Sequence, residues 1–158
     1  MPVTSKVNTV CYGFIAFLFL ASCHYKKEDI SQINFETLGC SDNCTRFTMS
    51  IMENGAASYR EEVEGFLSER GKISDKRFRT VIKKPQLDSL LTLITDAQLL
   101  GLSSYYEEDA YDAGISTLTL KLKNGRKKII EDRSVSSPKK LERIYNFLYS
   151  LRESQDWE

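Results

Sequence analysis

Apolar and polar positions alternate along this chain with two different periods, and each change of period marks an element. Ile30 to Leu38 alternates loosely, with Ile33 and Phe35 on one side, and predicts a first strand. Phe47, Met49 and Ile51 alternate with Thr48 and Ser50, which predicts a half-buried second strand. Glu53-Asn54-Gly55 is a hairpin signal. A two-residue Asn54-Gly55 turn would put Met49 opposite Arg60 and Ile51 opposite Ser58. A three-residue loop, with Gly55 left-handed in a bulge, puts Met49 opposite Tyr59 and Ile51 opposite Ala57. The second gathers the apolar groups on one face, whereas a slip of one residue would expose them, so the bulged loop is expected.

The polar stretch Glu61 to Asp75, broken by Gly65 and Gly71, predicts no definite element. Phe78, Thr80 and Ile82 make one face of a further strand, with Arg77, Arg79, Val81 and Lys83 on the other. Pro85 then suits the first turn of a helix, where its missing N–H costs nothing. Leu87, Leu90, Leu91 and Ile94 recur at helical spacing, a core-facing stripe, and Gly101 marks the exit. Leu118, Leu120 and Leu122 alternate with Thr119, Lys121 and Lys123, and Asn124-Gly125 turns the chain into Arg126 to Asp132. The register of this hairpin is open: Lys121 faces either Lys128 or Lys127, like charges that oppose pairing mildly. Ser136-Ser137-Pro138 predicts a serine-capped helix with Leu141, Ile144, Tyr145, Leu148 and Leu151 on its buried stripe. Glu153 to Glu158 reads as a frayed polar tail. The expected class is α+β: a mainly antiparallel sheet of two hairpins plus flanking strands, with two helices packed on one face.

The first residues follow a different pattern. Lys6 is the only charged side chain before the apolar run Val10 to Leu20, and small residues follow. This is the layout of a secretory signal. The run is shorter than the roughly 20 residues a bilayer span needs. Leu20-Ala21-Ser22-Cys23 resembles the lipobox of bacterial lipoproteins. The resemblance implies cleavage after Ser22 and a diacylglyceryl group on Cys23. One acyl chain gives marginal anchoring, at about 0.8 kcal/mol per buried CH₂, and two give stable attachment. The expected organisation is a signal peptide over 1–22, a lipidated cysteine and solvated polar tether over 23–29, one α+β domain over 30–152 and the tail over 153–158. No aspartate follows Cys23 directly, which by the same resemblance points to the outer rather than the inner membrane, facing periplasm or cell surface.

Composition narrows the function classes. Lys+Arg and Asp+Glu are 22 each, so no net charge draws the chain to nucleic acid. A 41% hydrophobic fraction supports a real core. With Cys11 in the leader and Cys23 lipidated, Cys40 and Cys44 remain as an even pair in an oxidising compartment, which favours a disulfide. Redox exchange and metal capture are the alternatives, although the pair lies between strands rather than at a helix N-terminus, where a dipole would lower a thiol pKa. The one histidine, His24, adjoins the anchor. Glu107, Glu108, Asp109 and Asp112 form an acidic loop that meets the taste of a hard cation loosely, without the ligand spacing of an EF-hand. Lys121, Lys123, Arg126, Lys127 and Lys128 make a basic hairpin, a candidate for anionic headgroups. It also fits the use of lysine to protect a sheet edge. No catalytic set stands out: G-x-S-x-G is absent, the folded domain has no histidine base, and nothing singles out a carboxylate pair.

The span Ile33 to Leu151 also resembles an uncharacterised bacterial domain-of-unknown-function family found in lipoproteins, whose opening motif is Gly-Cys-x-Gly-x-Cys-Pro. Gly39-Cys40 and Cys44 match it, Asn54-Gly55 fills the turn that follows, and Tyr59 comes after. Pro138 and Leu141 match a later Pro-x-x-Leu helix start. Asp42 and Thr45 depart from the motif's second glycine and its proline. The resemblance implies this order of elements and no activity. The expectation is a lipid-anchored, non-enzymatic binding or interaction module of the cell envelope. It would need no cofactor, and its partners would be the membrane, through Cys23, and an envelope protein or glycan. The alternative is a thiol-redox or metal-handling lipoprotein acting through Cys40 and Cys44.

Overall fold

The computed structural model describes residues 25–39, 44–64, 73–108 and 114–158. Its strands are β1 (Ile30–Gly39), β2 (Cys44–Met52), β3 (Ala56–Glu64), β4 (Ile73–Val81), β5 (Tyr105–Glu107), β6 (Ile115–Leu122) and β7 (Lys127–Arg133). They form one seven-stranded sheet in the order β4-β3-β2-β1-β6-β7-β5. Every neighbouring pair is antiparallel except β5 with β7. Two helices, α1 (Lys84–Ala97) and α2 (Lys139–Ser154), cover one face. The class is the expected α+β.

Alternation explains the layering. Ile33 and Phe35 on β1, Phe47, Met49 and Ile51 on β2, Tyr59 on β3, Leu118 and Leu120 on β6 and Ile130 on β7 are all buried under the helices. Phe35 stacks on Tyr145 of α2, with ring centroids 5.2 Å apart. α1 starts beside the Asn54-Gly55 turn, where Leu87 approaches Gly55. It leads to Leu102, whose carbonyl accepts from Lys128 of β7. α2 returns across the sheet, so that Gln155 beyond its end donates to Gln86 near the start of α1 at 3.2 Å.

Both Asn-Gly turns are three-residue loops. Met49 faces Tyr59 and Ile51 faces Ala57, the register chosen above, and Gly55 has φ of 86°. Lys121 faces Lys127, and Gly125 has φ of 83°. In each turn the asparagine Oδ1 accepts the N–H two residues on, from Ala56 and from Arg126, both at 3.0 Å.

Five expectations are corrected. The polar stretch after Glu61 is strand at both ends. On the uncovered face, ion pairs within and across strands make its charges compatible with a sheet: Arg60 bridges Glu62 of its own strand and Asp75 of β4, and Arg77 adds a further bond to Asp75 at 3.2 Å. These two arginines hold the Asp75 carboxyl at a pKa of about 2. α1 ends at Ala97, with Gln98 left-handed at φ 54°, ahead of Gly101. No serine side chain caps α2; the Pro138 carbonyl accepts from Leu141 and Glu142. Tyr105–Glu107, expected in a loop, add β5 beside β7.

The fifth correction concerns the two terminal segments. The tail is docked: Arg79 of β4 and Glu158 exchange backbone hydrogen bonds at 2.7 and 3.0 Å, and the Trp157 ring packs 5.5 Å from Tyr59. The stretch taken as a solvated tether is part of the fold from Tyr25 onward. Tyr25 is 8% exposed, and its hydroxyl donates to the Ile94 carbonyl at 2.7 Å and accepts from Leu99 N–H at 3.3 Å. Burial pushes its phenol pKa up to about 12. Lys27–Asp29 form a 3-10 turn in which Lys26 N–H donates to Asp29 Oδ2 at 2.8 Å and Asp29 N–H donates to the Lys26 carbonyl at 3.1 Å.

Candidate functional site

The sheet has two unlike ends. At the hairpin end lie both Asn-Gly turns, the start of α1 and the segment from Tyr25 to Ile30. Glu53 N–H donates to Ser31 O at 3.1 Å, and Lys123 N–H donates to Asp29 O at 2.8 Å, so both hairpins are tied to the segment that enters β1. Lys123 and Glu53 also form an ion pair at 2.6 Å across that segment. Lys27 Nζ donates to Thr92 Oγ1 of α1 at 2.5 Å. A shallow basin of about 430 Å³ opens here between Lys27, Glu53, Lys84, Asp88 and Lys123.

The basic hairpin is spread over two faces rather than gathered into one patch. Lys121 and Lys127 stand opposite each other on the uncovered face, and Lys121 donates to Gln32 Oε1 at 2.9 Å. Lys128 points to the helix-covered side and donates to the Leu102 carbonyl and Ser104 Oγ, at 2.5 and 2.9 Å. Lys123 is engaged with Glu53. Arg126 sits at the base of the turn, its carbonyl accepting from Leu122 N–H at 2.9 Å. β7 is not the outermost strand, because β5 lies beyond its last three residues.

At the loop end β1 stops and β2 starts, with Gly39 opposite Thr45 and Leu38 opposite Ile115. The connection carrying Cys40 and the connection between β5 and β6 therefore leave from this same end. Cys23, Cys40, Asp109 and Asp112 lie outside the described residues; Cys44 opens β2 with its backbone opposite Glu64. Of the acidic loop, Glu107 lies on β5 opposite Arg133. The Glu108 carboxylate accepts from Val135 N–H, Ser136 N–H and Ser136 Oγ at 3.1 to 3.2 Å, holding the chain just before α2. Among the described residues no three His, Cys, Asp or Glu side chains converge as metal ligands.

Sequence reasoning missed what else this end contains. A cleft of about 370 Å³ runs between α2 and the ends of β1 and β6, lined by Thr37, Phe47, Ser116, Tyr149 and Arg152 among others. Arg152 forms one wall and is fixed on every side: Nε donates to Tyr59 Oη and Nη2 to Glu61 Oε1, both at 2.8 Å, with its guanidinium 5.2 Å from the Phe47 ring centroid. Beside α2, Asp132 is 2% exposed; its Oδ1 accepts from Ser134 N–H and Oγ, while Oδ2 has no hydrogen-bond partner. The Tyr145 hydroxyl is likewise buried without one. Burial, and secondarily the nearby Asp132 charge, push the Tyr145 phenol well above its ordinary pKa. An aspartate at a strand end and an arginine on a helix give no periodic signal, so the sequence pattern singles out neither. This arrangement can receive a small polar group against Arg152 and the hydroxyls of Thr37 and Ser116.

A family model matches residues 31–152, from the second residue of β1 to the last turn of α2. The chain belongs to the domain-of-unknown-function family DUF6438. No curated protein matches it. The DUF6438 span contains the sheet apart from Ile30, all of α1, α2 up to Arg152, and the cleft. It leaves out Tyr25 and the 3-10 turn on one side, and Trp157 and Glu158 on the other, all of which pack on the domain in this chain.

Proposed function

We propose that this DUF6438 protein is a lipid-anchored, non-enzymatic binding module of the cell envelope, attached through a diacylglyceryl group on Cys23. One observation carries the reading: Tyr25, only two residues beyond the cysteine of the lipobox-like stretch, is already buried in the domain. A leader cut after Ser22 would remove none of the residues described in the fold. The loop-end cleft is the ligand site in this reading. Its charged wall supports binding over acid–base chemistry, because a guanidinium stays protonated and Arg152 is held in place by Tyr59 and Glu61. The ligand class is a small polar portion of an envelope protein or glycan.

The test is an intact mass of the membrane-extracted protein, alkylated with and without prior reduction, alongside Cys23→Ser. The expected outcome is a lipid-modified chain starting at Cys23, and a Cys23→Ser chain that leaves the membrane fraction. An unmodified parent chain overturns the anchor. Cys40 and Cys44 alkylated without reductant would bring the thiol-redox or metal-handling alternative to the front.

A further inference from the structure

We infer that the hairpin end of the domain lies directly against the headgroups of the phospholipid bilayer that holds the lipid, with the loop-end cleft turned away from it. The inference rests on the anchored reading above and adds orientation to it. A lipoprotein domain is usually pictured on a flexible stalk, and the charged residues Lys26 to Asp29 fit that picture by composition. Here they cannot serve as one. Tyr25 is clamped to Ile94 and Leu99 at the end of α1, and Lys27 to Thr92. Lys26 N–H donates to the Asp29 carboxylate, Asp29 N–H donates back to the Lys26 carbonyl, and the Asp29 carbonyl accepts from Lys123 of the second hairpin. Cys23 lies only two residues before Tyr25, a step that spans at most about 7 Å even when fully extended. A lipid on Cys23 must bring the surface around Tyr25 within reach of headgroups, because no slack remains to hold it off.

The chemistry of that surface fits the occupant. Lys27, Lys84 and Lys123 line the shallow basin together with Glu28, Glu53 and Asp88, a ring of both signs. Phosphate and amine groups of a phospholipid are likewise of both signs. The acyl chains supply attachment, and the ring sets which way the domain faces.

The experiment uses the full lipidated protein, purified from membranes and reconstituted into vesicles of phosphatidylethanolamine and phosphatidylglycerol containing a headgroup-spin-labelled lipid. A fluorophore is placed by Asp96→Cys or Lys127→Cys near the proposed contact, or by Glu142→Cys on α2 at the far side; all three positions are exposed. The parent protein supplies the blank for label taken by Cys40 and Cys44. Strong quenching at positions 96 and 127 with little at 142 is the expected result. A Gly-Ser insertion of about ten residues after Cys23, averaging about 18 Å in length, should then remove the difference. Equal quenching at all three positions in a protein whose mass shows the lipid overturns the orientation and leaves the anchor standing. A mass without lipid overturns both.

Discussion

The two Asn-Gly turns are built alike and used differently. Each is a three-residue loop with a left-handed glycine, φ 86° at Gly55 and 83° at Gly125. Each glycine N–H donates three residues back, to Met52 O at 2.9 Å and to Leu122 O at 3.0 Å. The turns flank β1, and their first residues, Glu53 and Lys123, bond to opposite sides of its entering segment. Yet Gly55 is buried, and its carbonyl accepts from Ile82 N–H at 2.9 Å, while Gly125 is exposed with open space where a Cβ would stand. The difference teaches that turn chemistry is local and turn environment is not. The first turn is the seat on which the chain swings from β4 into α1, and the second is a free tip.

Alanine scanning of the two glycines should show the largest contrast. Gly125→Ala meets only the left-handed penalty, about 1 kcal/mol. Gly55→Ala meets that penalty and also sets a methyl 2.9 Å from the Ile82 carbonyl oxygen, which is backbone and cannot swing aside. Overpacking of this kind adds about 2 kcal/mol, for a total near 3 kcal/mol. Urea unfolding of both variants measures the gap. Equal losses would mean that the first turn is not the seat of α1.

The same contrast marks how far the sequence can be read. The Asn-Gly pairs, the alternation of Phe47, Met49 and Ile51, and the leucine stripes all act between near neighbours, so both hairpins and both helices were legible from them, while the register of the second hairpin stayed open. The β2–β3 register followed from one local choice, because only one loop length puts Met49 beside Tyr59. What could not be read depends on partners far along the chain. Tyr25 stands among charges and is apolar in effect only because Ile94 and Leu99 meet its hydroxyl. Trp157, in a polar tail, is held by Tyr59, nearly a hundred positions earlier. β5 is too short to show a period and exists because the exposed edge of β7 accepts it. The candidate site suffered most. The cleft draws Thr37, Ser116 and Arg152 from three separate elements, and Glu108, which composition offered to a cation, is spent on Val135 and Ser136.

A smaller effect sharpens the comparison from the other side. Asn54 and Asn124 each accept one backbone N–H at the same distance and both are exposed, so their surroundings should not matter. Asn54→Ala and Asn124→Ala are expected to cost about 1 kcal/mol each, the worth of one such hydrogen bond. Matching losses in the same urea titration, beside unequal glycine losses, would separate the turn's own chemistry from what packs on it. A much larger loss at Asn54 would mean that the seat of α1 involves the whole loop.

The smallest expected effect concerns the link between the turns. Glu53 and Lys123 approach to 2.6 Å, but their side chains are 49% and 54% exposed. An ion pair that wet is worth less than about 1 kcal/mol, and salt screens it further. The backbone bonds from the same two residues to Asp29 and Ser31 survive any side-chain change. A double-mutant cycle with Glu53→Gln and Lys123→Met should therefore give a coupling below about 0.5 kcal/mol, fading in high salt. A coupling several times larger and insensitive to salt would show that the two hairpins are joined through their side chains as one unit. In that event Gly55 and Gly125 could no longer be treated as independent, and the cost of Gly125→Ala should rise toward that of Gly55→Ala.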